Sequence, residues 1–142
     1  MQIDILKKED LTPEIQLRVN QLFKQLAPHL KPLNLKQVLR DGNQVTIALC
    51  KEEDEILGMA SLCEYQAISG KKGWIEDVVV DENARGKGIG RKLMEKLLEI
   101  SKEKELAELL LFTGHHRLPA MALYESLGFK LRKSGLYFIK NP

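Results

Sequence analysis

The stretch from Trp74 to Phe112 constrains this chain more than any other. It opens on WIEDVVV, residues 74–80, whose last part is apolar on both faces, as in a strand buried mid-sheet. A glycine-rich segment with four cations follows, NARGKGIGRK at 83–92. Ile89, Leu93, Met94, Leu97 and Leu98 then recur at helical spacing, to an end near Glu105. A second run, LLLF at 109–112, reads as another buried strand. Strand, helix and strand in that order make a parallel crossover, which is right-handed. The neighbouring elements read as hairpins, so the sheet is mixed, with helices on both sides.

Ile3 and Ile5 alternate with Gln2 and Asp4, a short first strand. Thr12 is placed as an N-cap, with Pro13 at the first helical position. Ile15, Val19, Leu22, Phe23 and Leu26 continue that helix until Pro28 and Pro32 break the pattern. Leu35, Val38 and Leu39 form a short second helix. Alternating Val45, Ile47 and Leu49 predict a strand over 44–50; KEEDE is a turn, 56–66 a longer strand, and SGKKG another turn. Leu118 to Leu127 reads as a helix closed by Gly128, with short strands at 129–132 and 136–139. The expected order is β-α-α-β-β-β-α-β-α-β-β in one domain over 1–142, with no repeat or linker.

Charge excludes little by itself, but what it excludes is useful. With 22 basic and 20 acidic residues the net charge is +2, too small to point to nucleic acid or a membrane surface. No run reaches the roughly 18 apolar residues of a membrane span. MQIDILKKEDLTPE lacks the basic start and apolar stretch of a signal peptide, so the cytoplasm is the expected location. Cys50 and Cys63 lie in strands without metal or CxxC spacing and read as reduced, buried thiols.

Residues 85–90 invite a phosphate-loop reading, and two familiar ones fail. A dinucleotide fingerprint counted from Gly86 needs glycine where Arg91 stands; counted from Gly88, where Leu93 stands. A P-loop needs glycine at Asp81 and a hydroxyl residue at Gly88. The anion-site physics survives both. Amides between a buried strand and a helix start face outward at the positive end of the dipole, and glycine allows close approach. Arg85, Lys87, Arg91 and Lys92 crowd that end, where each fixed cation costs a few tenths to about 1 kcal/mol unless an anion is bound.

Arg85-x-x-Gly88-x-Gly90 resembles the acyl-CoA pyrophosphate loop of the GNAT superfamily of N-acyltransferases. The likeness extends over WIEDVVVDENARGKGIGRKLM, and LPAMALYESLGF at 118–129 is similar to the family's second signature, A-x-x-LY-x-x-x-GF. The element order is also that of its fold, a mixed α/β sheet whose central parallel strands splay apart. The resemblance implies acetyl transfer from acetyl-CoA to an amine by direct attack in a ternary complex. A non-catalytic acyl-CoA-binding sensor is the alternative.

Carried over by position, the backbone of Val78, Val79 and Val80 would meet the pantetheine arm, with the Val78 amide donating to the thioester oxygen. The amides of Arg85, Gly86, Lys87, Gly88, Ile89 and Gly90 would hold the pyrophosphate, with Lys87, Arg91 and Lys92 as further phosphate partners. Tyr124 matches the family tyrosine that protonates the departing thiolate. Arg117 stands where many members have a coenzyme-contacting Asn, and could bind a coenzyme phosphate or an acidic group of the acceptor.

An alkylamine with pKa near 10.4 is about 3.4 units protonated at pH 7, so freeing its lone pair costs roughly 4.6 kcal/mol and calls for a base. Glu76, four residues before Val80 and therefore on the same strand face, is the candidate; Asp77 is the second choice. Glu64, with Glu76 and Asp77, could favour a cationic acceptor. His29 in the Pro-rich loop, and His115 and His116 in TGHH, could line the acceptor site. No metal site is expected, and a homodimer is the family-level expectation.

Overall fold

Alternating residues at Gln2–Ile5 (β1), Val45–Glu52 (β2) and Glu55–Ala67 (β3) build antiparallel strands, and Gly70–Val80 (β4) continues them. Glu108–Leu111 (β5) adds a parallel pairing, to β4, in a sheet of order β1-β2-β3-β4-β5. The computed structural model describes residues 1–114 and 117–142 in two units, Met1–Phe112 and Thr113–Pro142. His115 and His116 lie outside the described residues.

In the first unit, helix Pro13–Leu26 (α1) starts as its sequence predicts: Pro13 occupies the first turn and the Thr12 hydroxyl accepts from the Ile15 amide at 3.2 Å. Val19 and Leu22 of α1, with Leu35 of the short helix Leu35–Val38 (α2), are buried against Ile47, Leu49, Met59 and Val79 on one sheet face. Helix Ile89–Glu103 (α3) buries Leu93, Met94 and Leu97 and reaches the opposite face, where a Cβ on Gly58 would lie 3.3 Å from Leu93.

At Gly58 the start of α3 is pinned to the sheet. A Cβ there would lie 3.0 Å from Ile89 Cγ2 and 3.1 Å from the Val79 carbonyl oxygen, which is backbone and cannot yield. Gly58→Ala is expected to lower stability by about 1–3 kcal/mol through overpacking, and to lower Tm by roughly 5 °C in a thermal melt. An unchanged Tm would show that α3 is free to move off the strand.

The structure departs from the sequence reading in five places, the first being KEEDE, whose turn is only Glu53–Asp54 between β2 and β3. SGKKG is not a loop: the turn is Ile68–Ser69 and β4 begins at Gly70. The LLLF strand is half-buried rather than buried, and ends at Leu111 with Phe112 72% exposed. Residues 129–132 and 136–139 form no strand. Among the described residues their unit, Thr113–Pro142, contains no other strand to pair with, and a lone hairpin of this size is marginal. Leu131, Leu136, Tyr137, Phe138 and Ile139 are correspondingly exposed.

The last departure is a bulge in β4. Met59 pairs with Val79, but Ser61 pairs with Glu76, so β4 holds one extra residue in that interval. Asp77 takes it up in the left-handed region, at φ 53. Glu76 and Val80 are therefore on opposite faces, not the same one: Glu76 pairs with Ser61 on the α1 side, and Val80 with Gly58 on the α3 side.

In the second unit, helix Leu118–Ser126 (α4) ends as its sequence predicts. Gly128 sits at φ 99, its amide donates to Glu125, and the Phe129 amide donates to Tyr124, at 3.1 and 3.0 Å.

Candidate active site

The pairing of β4 with β5 runs from Lys72–Glu108 to Ile75–Leu111 and stops. Glu76–Val80 continue as strand with no partner on that edge among the described residues, so their backbone groups there remain open to a ligand. This is where sequence placed the Val78, Val79 and Val80 contacts. Past Val80 the chain passes through Asp81 and the short turn Glu82–Ala84 into the glycine loop.

That loop turns through Gly86 at φ 84 and Gly88 at φ 76, and Gly88 is the N-cap of α3. A Cβ on either would meet no described protein atom within 4 Å. Backbone angle, not crowding, demands glycine at both, and the space above the helix start is open. The first intrahelical bond is Lys92 N–H to the Gly88 carbonyl at 3.1 Å, so the amides of Ile89, Gly90 and Arg91 precede the ladder. The first turn carries no acidic residue, while Arg85, Lys87, Arg91 and Lys92 are exposed around it. Arg91 also reaches Glu95 at 3.7 Å. Positive dipole, open amides and cations coincide at one point, which suits a polyanion.

The loop is anchored from α1, which sequence reading missed. Arg18 Nη2 donates to Asp81 Oδ2 at 2.5 Å and Arg18 Nε to the Ile56 carbonyl at 2.8 Å. Asp81, 8% exposed, accepts the Asn83 amide on Oδ1 at 2.9 Å and heads the single helical turn Glu82–Ala84. The Arg18 hydrogen bond, and then the Asn83 amide, hold its carboxyl below the usual value. Gln25 adds a second tie, accepting the Glu82 amide at 3.0 Å. One signal was available: Arg18 interrupts the apolar stripe of Ile15, Val19 and Leu22.

Glu76 and Asp77 lie side by side with solvent contact, and neither forms an ion pair with a cationic side chain among the described residues. Partial desolvation, and then the Asp77 carboxylate, raise Glu76; desolvation raises Asp77. Glu64 does not join them. It faces the α3 side and binds Lys104 at 2.6 Å. Cys50 and Cys63 are free thiols. Burial, followed by Glu76 and Asp77, pushes the Cys63 thiol up to about 11. His29 is exposed in the turn after α1.

In the second unit, Tyr124 is half-buried on α4, edge-to-face with Phe129 at a centroid distance of 6.1 Å. Burial raises its phenol, with Arg117 opposing. Arg117 is the N-cap residue of α4 without a side-chain cap bond.

Comparisons with known proteins agree on one family. The family model described as "Acetyltransferase (GNAT) family" matches residues 11–129. Over 134 residues the chain is 30% identical to a glucosamine 6-phosphate N-acetyltransferase of Trypanosoma brucei brucei, covering 92% of this chain and 89% of that one. An aminoglycoside acetyltransferase from an uncultured soil metagenomic sample has the same fold, with TM-score 0.84 at 20% identity over 99% and 95% of the two chains. A glucosamine-6-phosphate N-acetyltransferase from Arabidopsis thaliana gives TM-score 0.77 at 22% identity, over 99% and 100%. No described helix is long and apolar enough to cross a membrane.

Proposed function

This chain belongs to the acetyltransferase (GNAT) family, and we propose that it moves an acetyl group from acetyl-CoA to a primary amine of a small molecule or peptide by direct attack in a ternary complex. The observation that carries the reading is the edge of β4 beyond Ile75, unpaired among the described residues, followed through the short turn Glu82–Ala84 by the glycine-capped, cation-ringed start of α3. Strand edge and helix start together offer a backbone path for an extended arm ending in a pyrophosphate.

In this reading the amides of Arg85 through Gly90 hold the pyrophosphate, with Lys87, Arg91 and Lys92 supplying charge. The backbone of Val78, Val79 and Val80 aligns the thioester, and the Val78 amide donates to the oxygen that gains negative charge as nitrogen attacks. Glu76 takes the proton that the ammonium must lose, with Asp77 beside it as second candidate. The new C–N bond forms as the C–S bond breaks. Glu76 passes that first proton to solvent and then takes the second amine proton by the same route, while Tyr124 donates its hydroxyl hydrogen to the departing sulfur. A phenol near 10 transfers its proton to a free thiolate near 8.5 uphill by about 2 kcal/mol. Burial raises Tyr124 further. The tyrosine's contribution therefore lies in the hydrogen bond made while the C–S bond is breaking, and its proton is replaced from solvent.

Cys63 supports direct transfer over a covalent acyl-enzyme. A thiol at about 11 is thiolate in roughly one molecule in 10⁴ at pH 7, so little ready nucleophile is present at rest.

The test is thiol release from acetyl-CoA in the presence of amines, with glucosamine 6-phosphate and an aminoglycoside tried first because relatives carry those names. An amine-dependent rise in free thiol, with acetylated amine by mass spectrometry, is the expected result. Binding of acetyl-CoA with no acceleration by any amine would overturn it in favour of an acyl-CoA-binding sensor.

A further inference from the structure

We infer that Arg18 of α1 is a positioning residue for the coenzyme: by gripping Asp81 it fixes the point where the glycine loop leaves β4. The inference rests on the reading that this loop receives the pyrophosphate.

Asp81 is held from every side. Its amide donates to the Leu57 carbonyl at 2.8 Å, its carbonyl accepts from Ala84 at 2.8 Å, one carboxylate oxygen accepts from Asn83, and the other from Arg18. Arg18 in turn cannot swing away, because its Nε is bonded to the Ile56 carbonyl on β3. The guanidinium thus bridges α1, the start of β3 and the end of β4. Its side chain is 21% exposed and that of Asp81 11%, so removing one partner leaves the other charge uncompensated and poorly hydrated. Gln25, two helical turns on from Arg18, holds Glu82 in the same way.

The residues that follow have few such restraints. Gly86 and Gly88 both stand at positive φ with open space around them, and the loop's far end is fixed by Ile89 against Gly58. Amides that bind a pyrophosphate must be correctly aimed before the ligand arrives, or the ordering cost comes out of the affinity. A loop of glycines with one end loosened would lose that aim. Lysine cannot replace Arg18 fully: a single ammonium lacks the fork that serves Ile56 and Asp81 together. Arg18 itself need not touch the coenzyme.

The experiment is calorimetric titration of CoA into the wild-type chain, Arg18→Met, Arg18→Lys and Asp81→Asn, with steady-state kinetics on each. Arg18→Met is expected to weaken CoA binding by about tenfold and to raise KM for acetyl-CoA alike, leaving kcat and the amine KM within about twofold. Arg18→Lys should recover part of the loss. Val19→Ala, which loosens the same helix without touching the ion pair, should lower Tm and leave CoA affinity unchanged. If Arg18→Met does not fold, Asp81→Asn, which keeps the shape of the residue, carries the test. CoA affinity equal to wild type in a folded variant, or an equal loss in Val19→Ala, overturns the inference. A wild-type chain that fails to bind CoA overturns the coenzyme reading, and this inference with it.

Discussion

Glu76→Gln lowers kcat/KM for the amine by about 10²–10³-fold at pH 7, with binding of acetyl-CoA unchanged. Neutral glutamine cannot accept the ammonium proton, so the variant must wait for amine that is already free. Its rate should rise about tenfold per pH unit until the amine's own pKa near 10 is reached, and approach wild type there. In the wild-type profile the acid limb is expected above the ordinary glutamate range, because partial desolvation and then Asp77 raise Glu76. The same shift has a consequence for stability. A carboxyl raised on folding binds more protons in the native state between its unfolded and folded pKa values, so stability falls as pH rises through that window. The penalty is fully present above it. Glu76→Gln removes that penalty and should be at least as stable as wild type at pH 7 while losing activity. Asp77→Asn is the control. If it loses activity with that pH signature and Glu76→Gln does not, the base is Asp77.

Tyr124→Phe is the second large effect, a fall in kcat of roughly 10²-fold with KM for acetyl-CoA within about twofold. The ring and its edge-on contact with Phe129 survive the change, so the loss reports the hydroxyl alone. Since burial raises the phenol, it stays protonated throughout the neutral range and remains a donor. The alkaline limb that its ionisation produces should lie above pH 10 in the wild type and vanish in the variant. Single-turnover rates separate this from slow product release. A chemical step within threefold of wild type would remove Tyr124 from the mechanism.

Much of the frame was legible because local physics decides it. Thr12 and Pro13 start α1 and Gly128 ends α4 through bonds to residues within one turn. Alternation places β2 and β3, and the helical period places α1 and α3, since each records one buried face. The glycines at 86 and 88 are legible for the same reason: a positive φ is a property of the residue itself. The strands expected at 129–132 and 136–139 show the limit of that reasoning. Alternation marks a segment that could pair, and pairing needs a partner that the segment does not contain.

The candidate base shows a finer limit. A period of two carries no mark of an inserted residue, so counting four positions from Glu76 to Val80 put them on one face. The bulge at Asp77 turned Glu76 to the α1 side. Glu64 and Glu76 look equivalent as acids on neighbouring strands, yet one faces Lys104 and the other has no such partner among the described residues.

By itself, then, the sequence determined the family, the helix and strand framework, and the glycine turn and cations at the start of α3, all of them written in short-range pattern. Only the tertiary structure decided which way Glu76 points, that β4 has no partner beyond Ile75 on its β5 edge among the described residues, and that Arg18 holds Asp81 across 63 residues of chain. Those depend on register and on contacts between distant segments, which no local period encodes.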